Sequence, residues 1–403
     1  MYDILQSEPA PSFTLSHEQQ PVLRAIGLMS GTSLDGIDVG YLETDGRIIT
    51  QIGATATYPY RDDERAILRE ALARAVHFDQ TQQSHAHQPH AHQPHDYDQM
   101  NVLFHEAATL ITRTHTQAVK HFMAQNGLTA GDVDVIGFHG QTVLHRPEKR
   151  LTIQLGDGAA LARDTGIRVV NDFRKADVLA GGQGAPLVPV MHQALVRSHK
   201  EMTSPCAVLN IGGVSNITLL DKHDPIACDV GPGNALLDDF MFARLGVAMD
   251  RDGQAAAKGI IHQARIDTWL SHPFFNQSWP KSLDRNDFQH VDVADLNIED
   301  GAATLTSFTA QAVVRIIPHL PVIPKQWMVC GGGAYNPTLL RFLERAVQCP
   351  VMVTNHYGWP ADGVEALAFA FLAVRSLYNL PITFPNTTGV ERPLTGGVVH
   401  NLA

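Results

Sequence analysis

The stretches AIGLMSGTSLDGIDVGYLE (Ala25–Glu43) and AVLNIGGVSNITLLD (Ala207–Asp221) decide how this chain is read. Each runs from an apolar strand through a short Gly/Ser/Asn turn into a second apolar strand, which is the pattern of a hairpin. They stand about 180 residues apart, one opening each half of the chain. That echo predicts a duplicated domain with a cleft between the copies, and such clefts are favoured ligand sites.

Outward from the hairpins, strands alternate with helices, the pattern of an α/β protein. Short apolar runs at Ala25–Met29, Val135–Phe138, Thr152–Leu155, Ile167–Val170, Ala207–Ile211, Met328–Cys330 and Val351–Val353 fit buried strands. Helical spacing marks Ala159–Thr165, Ala235–Leu245, Pro337–Val347 and Val364–Leu377. In the last of these, Val364, Leu367, Ala368, Phe371 and Leu372 recur at three and four residues, predicting one apolar stripe.

The expected organisation is a tail over 1–21, a first domain over 22–176, a second over 177–385, and a C-terminal tail over 386–403 packing back on the first domain. Residues 81–96 form a His-rich insertion whose AHQPH repeat builds no core; it reads as a solvated loop, with metal binding as the alternative.

With 403 residues, 44% apolar and 18% charged, the composition suits two globular domains. Thirty Lys plus Arg against 41 Asp plus Glu, net -11, gives no general attraction to nucleic acid or anionic membrane. The four cysteines are widely spaced with no CxxC pair, which suits a reducing compartment. The N-terminus lacks a signal-peptide pattern and no apolar run approaches a membrane span, so a cytoplasmic location is expected.

The chemistry concentrates in the turns. Gly31, Thr32, Ser33, Leu34, Asp35, Gly36, Ile37 and Asp38 make the first. Its glycines admit an anion close to the backbone, and Asp35 can hold magnesium through water; a plain hairpin is the alternative. Gly212, Gly213, Ser215 and Asn216 repeat that chemistry in the second half, so the two loops can clamp one polyphosphate. Neither is a Walker A loop or a dinucleotide fingerprint. The third glycine run, Gly331, Gly332 and Gly333, suits either a nucleotide base or ribose lying on the backbone or a tight strand-to-helix turn capped by Asn336.

Asp229 ends a strand beside Gly231, Pro232, Gly233 and Asn234, where a carboxylate is held rigidly enough for a general base; capping the next helix is the competing role. His139, Gln141, Asp172 and Arg174 follow other strands and suit sugar hydroxyls and a carboxylate, or else satisfied loops. Glu365 opens the last long helix, where the helix dipole favours an acid with or without catalysis.

At these residues the sequence resembles the anhydro-N-acetylmuramic acid kinase family, within the superfamily of acetate and sugar kinases, actin and chaperone ATPases. GLMSGTSLDGIDV, FHGQTVLHRP, TIQLGDGAALA, VVNDFRKADVLAGGQGAPLVP, LNIGGVSNITLL, DVGPGNALLDDF, DRDGQAAAKG, PKSLDRNDF, VCGGGAYN and DGVEALAFAFLA carry the likeness, in order, from about Ile26 to Val374. The resemblance implies two ribonuclease H-like domains of the actin-like ATPase type. It also implies ATP and Mg2+, hydrolytic opening and phosphorylation of 1,6-anhydro-N-acetylmuramic acid, and a homodimer that opens and closes around its ligands. By the same resemblance Gly31 to Asp38 carry the ATP phosphates and Asp229 activates the water; Gly231, Pro232, Gly233 and Asn234 beside it are expected to contact sugar. Two other readings share the same cleft: a kinase of an ordinary N-acetylated hexosamine, and a non-enzymatic nucleotide switch.

Overall fold

The computed structural model describes residues 20–402 apart from 32, 86–93, 200, 284 and 362. Thr32, most of the N-terminal tail and the centre of the His-rich insertion lie outside the described residues. The remaining ends of that insertion belong to two helices, Asp62–His85 and Pro94–Gln125.

Among the described residues twelve strands build two sheets: β1 Leu23–Ser30, β2 Gly36–Thr44, β3 Ile49–Pro59, β4 Val135–Arg146, β5 Leu151–Leu155, β6 Val169–Asn171, β7 Cys206–Ile211, β8 Val214–Leu220, β9 Ile226–Pro232, β10 Trp327–Cys330, β11 Val351–Val353 and β12 Val398–His400. The first sheet runs β12-β6-β4-β1-β2-β3 with β5 on β4, and the second runs β11-β10-β7-β8-β9. Within each, an antiparallel three-stranded meander (β1–β3, β7–β9) is extended by two parallel strands reached through helices (β4 and β6, β10 and β11). The order β6-β4-β1-β2-β3 matches β11-β10-β7-β8-β9, with β5 and β12 added to the first sheet alone, so the duplication predicted from the hairpins is a property of the topology. The C-terminal residues return to the first sheet, where β12 pairs antiparallel with β6.

One core lies between the first sheet and the helices Asp62–His85, Pro94–Gln125 and Gly158–Thr165; a second backs the other sheet under Ile298–Val314 and Pro337–Val347. The third, between the sheets, is organised by the helix Val364–Leu377. That helix differs from the predicted single stripe. Every residue from Ala366 to Ser376 is buried, because the helix is packed from both sides and a helix so placed is apolar all round.

Its seat on the first sheet is made of glycine. Gly40, Gly27 and Gly137 pair with one another across β2, β1 and β4. A Cβ on Gly27 would stand 1.8 Å from the Ala366 carbonyl oxygen, and one on Gly137 1.9 Å from that of Phe369. The row is therefore a groove in which helix backbone touches sheet backbone, and it fixes the helix N-terminus, with Glu365, over the end of the first sheet.

Candidate active site

The second sheet presents one cross-strand row at its edge: Cys330 beside Asn210, Asn210 beside Asn216, and Asn216 beside Asp229. All four line a single cavity of about 770 Å³. Across it stand Asp35, Asp38 and Met29 from the first hairpin, Arg174 after β6, and Glu365 on the helix Val364–Leu377. Gly212 and Gly331 line it as well. The two hairpin turns thus share one cavity.

The first turn is shaped by a left-handed Leu34 (φ 59°) whose N–H donates to the Gly31 carbonyl at 3.2 Å. Leu34 is buried, as are Gly36 and Ile37, which leaves Ser33 and Asp35 exposed at the tip. Gln141 braces this turn from below. Fully buried, it accepts from the Ser30 hydroxyl at 2.6 Å and donates to the Gly31 carbonyl at 3.3 Å, so its amide is held by the hairpin and it is absent from the cavity wall.

In the second turn Ser215 is likewise buried, with its hydroxyl donating to the Pro232 carbonyl. The Gly233 N–H donates to the Gly213 carbonyl at 2.9 Å and the Asn234 N–H to that of Gly212 at 2.8 Å. Gly231, Pro232, Gly233 and Asn234 therefore lock the turn in place, and none of them lines the cavity. Of the third glycine run only Gly331 reaches the cavity wall; Gly332 is exposed, and Gly333 is buried against Ile211. Asn336 caps the following helix by accepting from the Thr338 and Leu339 N–H groups.

Asp229 is a perturbed carboxylate held by fixed partners. Its Oδ2 accepts from the Leu283 N–H at 2.7 Å, and its own N–H donates to the Lys281 carbonyl. Burial pushes its pKa up to about 6, with the Leu283 amide and the Lys281 ammonium opposing the rise. Lys281 lines the cavity too, its ammonium donating to the Phe274 carbonyl at 3.1 Å and lying 4.2 Å from the Phe274 ring centre. Burial lowers the Lys281 pKa, while Cys228 and Asp229 support the charged form.

On the facing wall, burial lowers the Arg174 pKa to about 10, offset by Glu365 and Asp177, so the guanidinium stays charged at neutral pH. It donates to the Gly184 carbonyl at 2.7 Å and, through Nε, to His139 Nε2 at 3.1 Å. A guanidinium has no acceptor to offer, so His139 is neutral with its proton on Nδ1, donated to the Gly140 carbonyl. Burial first, then Arg174, drives the His139 pKa well down. Glu365 opens onto the cavity, yet protein surrounds it on its other sides. That burial raises its pKa, Arg174 opposes the rise and Asp38 adds to it.

The structure separates the remaining sugar candidates from this cavity. His139 and Asp172 line a smaller one, of about 290 Å³, where Asp172 lies 3.6 Å from the Lys175 ammonium. Arg174 alone of that group faces the large cavity. Sequence reasoning missed Asn210, Lys281, His192 and the 183–189 loop as wall residues. Asn210 did carry a signal, being a lone amide in an apolar strand that pairs with the recognised Asn216.

The anhydro-N-acetylmuramic acid kinase family model matches residues 23–401. The chain belongs to that family. Among curated relatives, the anhydro-N-acetylmuramic acid kinase of Bradyrhizobium diazoefficiens is 51% identical over 380 residues, covering 94% of this chain and 99% of the relative. The kinase of the same name from Azorhizobium caulinodans is 51% identical over 383 residues, covering 94% and 99%. Solved structures with a similar outline include component A of (R)-2-hydroxyglutaryl-CoA dehydratase from Acidaminococcus fermentans, 11% identical with a TM-score of 0.46 over 88% of this chain and 99% of that one. A ROK family glucokinase from Streptomyces griseus is 12% identical, with a TM-score of 0.39 over 87% and 99%. Among the described residues no helix is long and apolar enough to cross a membrane.

Proposed function

We propose that the large cavity performs the family reaction, in which ATP, water and 1,6-anhydro-N-acetylmuramic acid give N-acetylmuramic acid 6-phosphate and ADP. One observation carries the assignment: a half-buried carboxylate with a pKa of about 6 shares a cavity with turns from both domains. A base with that pKa is ionised at neutral pH and still basic enough to take a proton.

In this reading Asp229 removes a proton from water as the water oxygen bonds to the anomeric carbon. The bond from that carbon to the bridging O6 breaks, and O6 takes its electron pair to the γ-phosphorus of ATP. The phosphorus–oxygen bond to ADP then breaks, and Asp229 releases its proton to solvent. Ring opening creates the acceptor in place, so no second molecule has to be aligned. Arg174 and Lys281 provide positive charge for the phosphoryl group or the sugar carboxylate, and Glu365 contributes an acid beside Asp38.

Magnesium fits this wall in one way. Among the described residues no three His, Cys, Asp or Glu side chains converge to hold an ion, whereas Asp35 and Asp38 stand separately beside the phosphate turn. That arrangement suits an ion held mainly by water and phosphate oxygens, with Asp35 or Asp38 in support. Bound there, magnesium neutralises phosphate charge. The proposal extends to a cytoplasmic homodimer serving cell-wall recycling, the mass to be checked by light scattering.

A coupled ADP assay with the anhydro sugar and with ordinary N-acetylmuramic acid tests the reading, using labelled water to follow oxygen into the anomeric position. ADP release with the ordinary sugar but none with the anhydro sugar would transfer the function to a simple hexosamine kinase.

Two further outcomes follow from the geometry. With Asp229 as base, kcat/KM rises with pH through about 6 and levels above it, since the active form is the ionised one. A profile flat between about pH 5 and 7 would remove Asp229 from that role. Gly213 is exposed, and a Cβ there meets nothing nearer than Ala235 at 3.8 Å. Gly213→Val is therefore expected to keep its melting temperature yet raise the KM for ATP by about tenfold or more, roughly 1.4 kcal/mol or above. Unchanged ATP kinetics would show that no phosphate approaches that glycine.

A further inference from the structure

His192 is 3% exposed on the helix Pro189–Ser198, which packs in the core between the sheets, and it lines the large cavity. Its Nδ1 lies 3.0 Å from the Thr218 hydroxyl, and its buried Nε2 has no hydrogen-bond partner in the protein. Leaving a buried ring nitrogen unpaired costs roughly 1–3 kcal/mol, so such an atom in a side chain that lines a cavity points to a ligand group. Burial holds the ring neutral, its pKa down to about 3. A neutral ring offers Nε2 as a donor or as an acceptor, according to the tautomer that Thr218 sets.

Thr218 places this group relative to the chemistry. It stands two residues along β8 from Asn216, hence on the same face, and Asn216 is the cross-strand partner of Asp229. Two residues of strand span about 6.6 Å. His192, bonded to Thr218, therefore lines the same cavity a short way along β8 from the row that holds Asp229. Pro186, Leu187, Val188 and Pro280 line the same cavity and give it apolar surface.

From this placement we propose that His192, set by Thr218, is a specificity-determining residue that hydrogen-bonds the acetamido group on the sugar carbon next to the anomeric centre. An amide offers both an N–H and a carbonyl, so it serves whichever ring tautomer Thr218 selects, and its methyl meets the apolar wall. The assignment rests on the function proposed above and adds the residue that recognises the N-acetyl group.

The test compares kcat/KM for the anhydro sugar with that for its analogue carrying a hydroxyl in place of the acetamido group. In the wild type the acetamido sugar is preferred. His192→Phe, which keeps an aromatic ring and removes both nitrogens, is expected to shrink that preference by about tenfold or more, mainly by raising the KM of the acetamido sugar. His192→Gln should restore part of it, and the limb near pH 6 should stay where Asp229 puts it. A general packing defect would slow both sugars alike and leave the ratio intact, and that result overturns the proposal. Should His192→Phe fail to fold, Thr218→Val carries the same comparison, with a smaller loss of preference expected and an unchanged ratio overturning it. A wild type that turns over neither sugar overturns the parent reading and this one together, whereas an intact ratio in the variants overturns only this one.

Discussion

Asp229→Asn folds, binds its substrates and turns over the anhydro sugar at least about a hundredfold more slowly, the usual scale for losing a general base. The substitution is nearly isosteric, and its remaining carbonyl oxygen can still accept from the Leu283 N–H. Stability should not fall. In the folded protein the Asp229 pKa is about 6 against an ordinary 3.8, so folding disfavours the ionised form. That penalty is absent below about pH 4, grows as pH rises to about 6 and is constant above it. Asparagine removes it, although Lys281 then loses a compensating charge, so the melting temperature near neutral pH should be equal or modestly higher. Steady-state kinetics and a melt on one preparation decide the matter. Activity within a few-fold of the wild type would end the assignment.

Gly27→Ala is expected to cost about 3 kcal/mol or more, the upper end of over-packing penalties, and Gly27→Val to prevent folding. The Cβ of alanine would stand 1.8 Å from the Ala366 carbonyl oxygen and 2.4 Å from the Ala370 nitrogen. Both are backbone atoms of a helix wedged between two sheets, and neither can swing aside. Gly131→Ala is the control, because its nearest neighbour would be the Thr129 hydroxyl at 3.7 Å. Urea unfolding of the two alanine variants should separate them clearly; similar midpoints would mean that the helix seat yields.

The fold was legible because its signal is local. A hairpin needs only two apolar runs and a permissive turn, and finding the pair twice was enough to predict the duplication. The place of Asp229 on the cavity wall was legible for the same reason, as an acid at a strand end beside glycines. Direction was harder to read. Gln141, Ser215 and the Gly231–Asn234 turn have the residue types of a binding site, yet register points them at backbone groups of the hairpins. His139 and Asp172 face a different cavity from Arg174, although Arg174 donates to His139, because β5 folds back on β4, which local sequence does not display. His192 stood in an apolar, proline-containing stretch, and its partner Thr218 comes from a strand 26 residues further on. The one-sided stripe expected for Val364–Leu377 failed because periodicity cannot say how many sheets a helix will meet.

The glycine seat also bears on biosynthesis. The sheet it belongs to begins within the first 30 residues, but the helix that fills it leaves the ribosome only after residue 377, and the edge strand β12 later still. Until then a newly made first half presents a bare apolar trough, which closes only once synthesis has passed residue 377.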